Sequence, residues 1–101
     1  MQRQINNKIR ADFDILVDSF IDDVDIHSLS DFPLISIYKS PLDYPNQYVA
    51  RIFDIQPGRV NITRYIMLCD NLETLRKAIP LEFIKLDRKA DDEPDVVEVW
   101  L

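Results

Sequence analysis

Residues 48–69 read Tyr-Val-Ala-Arg-Ile-Phe-Asp-Ile-Gln-Pro-Gly-Arg-Val-Asn-Ile-Thr-Arg-Tyr-Ile-Met-Leu-Cys. Two runs rich in β-branched and aromatic residues, Tyr48 to Asp54 and Val60 to Cys69, flank Gln56-Pro57-Gly58-Arg59. Proline followed by glycine is turn chemistry, so the stretch predicts a β-hairpin. In the second run Val60, Ile62, Arg64, Ile66 and Leu68 share one face, and Asn61, Thr63, Tyr65, Met67 and Cys69 share the other. From Tyr65 onward both faces are apolar, which predicts a strand covered on two sides.

On the C-terminal side, Asp70 is the expected cap of a helix, with Glu73 at capping-box spacing. Leu72, Leu75 and Ile79 mark its buried side, and Pro80 ends it. Phe83 to Asp87 reads as a short strand. Val96 to Leu101 alternates as another, with Val97, Val99 and Leu101 expected inward and Glu98 outward. On the N-terminal side, Leu34 to Lys39 is a strand and Ser40 to Gln47 a proline-punctuated loop.

Residues 3–25 read as an amphipathic helix. Asp14, Asp18, Asp22 and Asp25 fall on one side, and Ile9, Phe13, Leu16, Val17, Phe20 and Val24 on the other. Its basic first turn and acidic last turn oppose the helix dipole, so it depends on docking for stability. The expected architecture is therefore a single α+β domain over residues 1–101. It comprises an N-terminal amphipathic helix, an antiparallel β-meander with the hairpin, a second short helix and a C-terminal strand, with the helices on one face.

From Ser40 onward, the pattern Ser-Pro-x-Asp-Tyr-Pro-x-x-Tyr-Val-Ala-Arg, then Leu-Glu-x-Leu-Arg-x-x-Ile-Pro, then Val-Val-Glu-Val-Trp, resembles small uncharacterised bacterial and prophage-type proteins. The resemblance implies a prokaryotic or phage source and carries no chemistry. The acidic N-terminal stretch lies outside it.

The formal net charge is −6, and its distribution is uneven. Residues 11–31 hold seven aspartates with no lysine or arginine, and residues 89–101 hold five acidic groups against Lys89. Such a chain is a poor general ligand for nucleic acid, whose phosphates need cations. Cys69 is the only cysteine, which excludes an intrachain disulfide and a multi-thiolate zinc site. The polar N-terminus lacks an apolar signal core, and the longest apolar run, Tyr65 to Cys69, is too short to cross a bilayer. A cytoplasmic protein without membrane association is expected.

Several constellations resemble sites. Asp23, Asp25 and His27 would point the same way in an extended strand and offer a divalent metal three ligands. A helix end followed by solvated residues explains them as well, and dedicated sites recruit ligands from several elements. The Asp91–Asp95 loop lacks the spacing of a calcium loop and reads as a solvated turn. Cys69 precedes a helix, yet adjacent Asp70 opposes a lowered thiol pKa and the sole histidine is distant in sequence. Arg51, Arg59 and Arg64 beside Tyr48 and Tyr65 form a secondary candidate surface. Arginines that pair with aspartates or cover apolar surface are the plainer reading.

No nucleophile–base pair, metal set or phosphate loop is visible, so no enzymatic activity and no cofactor are expected. The row Asp14, Asp18, Asp22, Asp25 is either a solvated helix face or a surface that meets a basic protein site. The expected role is thus a non-enzymatic, acidic protein that binds another macromolecule, inhibitor- or adaptor-like. The alternative is a self-associating module, a homodimer through the apolar stripe of the N-terminal helix.

Overall fold

The computed structural model describes residues 13–86 and 95–101. Six strands form one mixed sheet: β1 (Ile15–Leu16), β2 (Pro33–Lys39), β3 (Tyr48–Gln56), β4 (Arg59–Cys69), β5 (Lys85–Leu86) and β6 (Val96–Trp100). Two short helices, α1 (Ile26–Leu29) and α2 (Leu72–Lys77), complete the described elements. The strand order is β1-β4-β3-β2-β6-β5. All neighbours run antiparallel except β1, which lies parallel to β4.

The β3–β4 hairpin forms on its turn chemistry. Gln56 faces Arg59 across Pro57-Gly58, and Gly58 takes a φ of +79°, the left-handed conformation that a residue without Cβ adopts most readily. Further along, Arg51 faces Ile66 and Phe53 faces Ile62, so Thr63 to Tyr65 bulge opposite Ile52. A bulge removes ladder hydrogen bonds. Side chains fill the gap: the Thr63 hydroxyl donates to the Ile52 carbonyl at 2.6 Å, and Arg51 Nη1 donates to the Thr63 carbonyl at 3.0 Å.

The architecture corrects the α+β expectation. Sheet dominates, and from Asp14 to Asp25 no amphipathic helix forms; residues 3–12 of that expectation lie outside the described residues. The cause is local polar chemistry combined with docking. Asp23 Oδ2 accepts from the backbone N–H groups of Asp18 and Ser19, and Ser19 Oγ accepts from those of Ile21 and Asp22. Aspartate and serine thus satisfy the backbone in a turn and compete with helix. The backbone also bonds outward, Val17 N–H to the Ile66 carbonyl at 2.9 Å and Phe20 N–H to the Ala78 carbonyl at 3.1 Å. Of the apolar stripe, Phe20 is only 1% exposed inside the protein's own core and Val17 and Val24 pack against that core, whereas Leu16 is exposed and Ile9 lies outside the described residues.

That core lies on the sheet face carrying Ile35, Ile37, Ala50, Ile52 and Met67, and Phe20, Ile26, Leu75, Ile79 and Phe83 cover it. Asn71, not Asp70, caps α2: its side chain accepts from Thr74 N–H at 3.2 Å. Glu73 in the first turn and Arg76 and Lys77 in the last suit the helix dipole.

The last strand also departs from its expected facing. Ile37 faces Glu98 and Tyr38 faces Val96, so Val97 is an extra residue in a bulge. Glu98 consequently points to the core side and is 5% exposed, whereas Leu101 is exposed. Arg76 makes this burial tolerable. Its Nε donates to Glu98 Oε2 at 2.8 Å, its Nη2 pairs with the same oxygen, and Trp100 Nε1 donates to Oε1 at 3.0 Å. Burial alone would raise the Glu98 pKa, but these hydrogen bonds outweigh it and hold the carboxyl below its ordinary value.

Candidate functional site

The four aspartates proposed as one face occupy three different environments. Asp14 immediately precedes β1, which pins it over the sheet face opposite the main core. Its side chain is 0% exposed and sits 2.9 Å from Arg51 Nη1. The Tyr44 hydroxyl donates to Asp14 Oδ2 at 2.7 Å. Oδ1 lies at ion-pair distance from Arg51 without an aligned hydrogen bond. Burial, then the bond to Asp14, push the Tyr44 phenol well above the usual tyrosine range and keep it protonated. Asp14, Arg51 and Tyr44 form a buried polar cluster that ties the N-terminal segment, β3 and the 40–47 loop together.

Asp25 is the N-cap of α1. Its carboxylate accepts from the Ser28 hydroxyl at 2.7 Å and the Ser28 N–H at 3.3 Å, and these bonds lower its pKa. It remains exposed. Asp18 and Asp22 are exposed on the turn before it, together with Asp23, and Asp31 is exposed beyond α1. The acidic row expected on a helix is therefore an acidic loop: Asp18, Asp22, Asp23, Asp25 and Asp31, without Asp14. His27 is the only basic-type side chain between Asp18 and Asp31, and its Nε2 lies 2.8 Å from Glu82 Oε2. That contact lowers the Glu82 pKa and leaves the carboxylate ionised at neutral pH.

The secondary surface is split by the pleat. Tyr48 and Tyr65 are half-buried against the main core, whereas Arg51 is buried on the opposite side of the sheet. Arg64 Nε donates to the Phe13 carbonyl at 2.6 Å, and its guanidinium stands 5.6 Å from the centre of the Phe13 ring. Arg59 lies at the hairpin turn, where its charge helps to lower the Asp54 pKa after the larger effects of hydrogen bonds from Ser30 and Gln56. The arginines mostly satisfy the protein's own acceptors and rings and do not line one surface with the tyrosines.

Among the described residues, no three histidine, cysteine, aspartate or glutamate side chains come together as a metal-ligand set. Of the acidic loop Asp91–Asp95, residues 91–94 lie outside the described residues. Cys69 is half-buried, with Sγ 3.9 Å from Asp70 Oδ1. Among the described residues no helix is long and apolar enough to cross a membrane.

Pairing of Arg51, Arg59 and Arg64 with aspartates is the plainer sequence reading, and Arg51 bears it out; what the sequence does not show is that its partner is Asp14. A signal for the pairing was present: Arg51 alternates with Val49 and Phe53, an apolar strand face where a charge needs a partner. In comparisons with protein-family models, curated proteins and solved structures, nothing matches this chain.

Proposed function

We propose that the protein is a non-enzymatic binding module that docks its acidic loop onto a basic site of another protein. One observation carries this reading: Asp18, Asp22, Asp23, Asp25 and Asp31 are all exposed within one short segment that contains no lysine or arginine. The loop is ordered by its own hydrogen bonds and capped by Asp25, so binding has less conformational entropy to remove. A net charge of −6 adds a long-range field that speeds encounter with a cationic surface and weakens with salt.

The test is charge reversal at two exposed positions, Asp18→Lys with Asp22→Lys, which leaves the core untouched. Wild-type protein immobilised in a lysate of its source is expected to retain a basic protein at low salt and release it at high salt. The double variant is expected to retain none. If the variant holds the same protein equally well, the acidic loop is not the docking surface.

A further inference from the structure

A cleft of about 350 Å³ opens beside the acidic loop, where α1, the start of β2, the end of β3 and the residues around Phe83 converge. Phe32, Pro33, Ile55, Phe83 and Leu101 make its apolar walls. Its polar members are His27, Asp31 and Glu82. That volume is at the lower end of the range for small ligand sites, roughly 300–1,000 Å³, and suits one large side chain better than a whole cofactor.

Phe32 is the unusual wall. Its residue is 68% exposed, yet its backbone is held at both ends. The Phe32 N–H donates to Ser30 Oγ at 3.0 Å, and its carbonyl accepts from Ile55 N–H at 3.0 Å. Ser30 is itself anchored by donation to Asp54 Oδ1 at 2.5 Å, and Pro33 restricts the Phe32 backbone to extended conformations. With its backbone held, the exposed phenyl has only its two side-chain torsions left to order on binding, which suits an interface anchor. Ile84 and Leu101 exchange both backbone hydrogen bonds at 2.9 Å, and both are exposed, as is Leu81. This end of the molecule therefore presents clustered apolar surface, where scattered single residues would need no explanation.

We infer that the cleft receives one large apolar side chain from a partner segment in which that residue is flanked by lysine or arginine. The walls select hydrocarbon. The exposed Asp31 selects the flanking charge, with Glu82, whose Oε2 also meets His27, beside it, and the protein's net negative charge opposes an acidic segment. The inference rests on the basic-partner reading above for the sign of that charge, and Asp31 joins the two surfaces.

Three synthetic pentapeptides test it by chemical-shift mapping on isotope-labelled protein: four lysines around a central tryptophan, the same lysines around alanine, and four glutamates around tryptophan. The lysine–tryptophan peptide is expected to shift the amides of Phe32, Ile55, Phe83 and Leu101. The lysine–alanine peptide is expected to shift only those of the acidic loop, and the glutamate peptide neither. Phe32→Ser, at an exposed ring, is expected to weaken the first peptide at least about fivefold.

Loop shifts from both lysine peptides without cleft shifts overturn the cleft and leave the acidic loop standing. Cleft shifts from the lysine–tryptophan peptide, with no loop response to the alanine peptide, support the cleft and overturn the acidic loop. Equal cleft binding of the glutamate peptide overturns the basic partner. A wild-type dimer that Phe32→Ser converts to monomer also overturns it, in favour of a second copy on the cleft.

Discussion

On the sheet face covered by α1 and α2, strand β3 presents Ala50 and Ile52 to Phe20, Ile26 and Leu75, and the contact is hydrocarbon. On the opposite face the same strand presents Arg51 to Asp14 and Tyr44. The two regions are buried by different physics. Apolar burial is non-directional and tolerates small changes of angle. A buried carboxylate is tolerated only where a cation and donors meet it, so the Asp14 cluster admits one placement of the N-terminal segment over the sheet. The first face supplies cohesion, and the second sets where residue 14 crosses.

The largest expected effect comes from breaking the polar face from one side. Asp14→Ala leaves Arg51 buried without its partner and is expected to cost about 3–5 kcal/mol in urea unfolding. Asp14→Leu combined with Arg51→Met sharpens the comparison. Most of that loss is expected to return, while hydrogen-exchange protection of the β1 amides falls, because hydrocarbon restores burial without restoring position. Unchanged β1 protection in the double variant would remove the positioning role from the ion pair.

On the apolar face, Ile37→Ala removes fully buried hydrocarbon and is expected to cost about 3 kcal/mol. Here the β1 amides should keep their protection relative to global stability. A selective loss at β1 would mean that the two faces are not independent.

Glu98 gives the smallest effect and brings polar chemistry to the apolar side. Its carboxyl has a pKa below the ordinary 4.5, so its ionised form stabilises the fold at neutral pH. That stabilisation is lost as pH falls through the ordinary value toward the lowered one. Arg76 is partly exposed, so the contribution is discounted to about 1–2 kcal/mol. Stability measured from pH 7 downward should fall less steeply in Glu98→Gln than in wild type. Parallel acid profiles would show that the Arg76 contact contributes nothing.

The hairpin, the strand through Leu34 to Lys39 and the helix before Pro80 were legible in the sequence, because a proline–glycine turn, a period of two and a proline stop are local signals. The acidic loop was legible in composition but not in shape. Its aspartates and apolar residues have helical spacing, yet the Asp23 and Ser19 side chains bond the adjacent backbone and form a turn. Spacing alone does not reveal that competition. The facing of β6 was misread because one inserted residue, Val97, breaks the period of two at a place no turn residue marks.

From its own residues the chain determines a central antiparallel hairpin, an excess of negative charge held in residues 11–31 and 89–101, and a single cysteine without a disulfide partner. Tertiary structure alone decided three things. Asp14 is a buried ion-pair member and not a surface charge, because Arg51 and Tyr44 reach it from elements distant in sequence. Phe20 belongs to the core, because the segment that carries it docks on Ala78 and Ile66 through backbone hydrogen bonds. The apolar cleft exists because residues 27, 32, 55, 83 and 101 converge there. All three depend on contacts between residues far apart in the chain, which local propensity and periodicity do not encode.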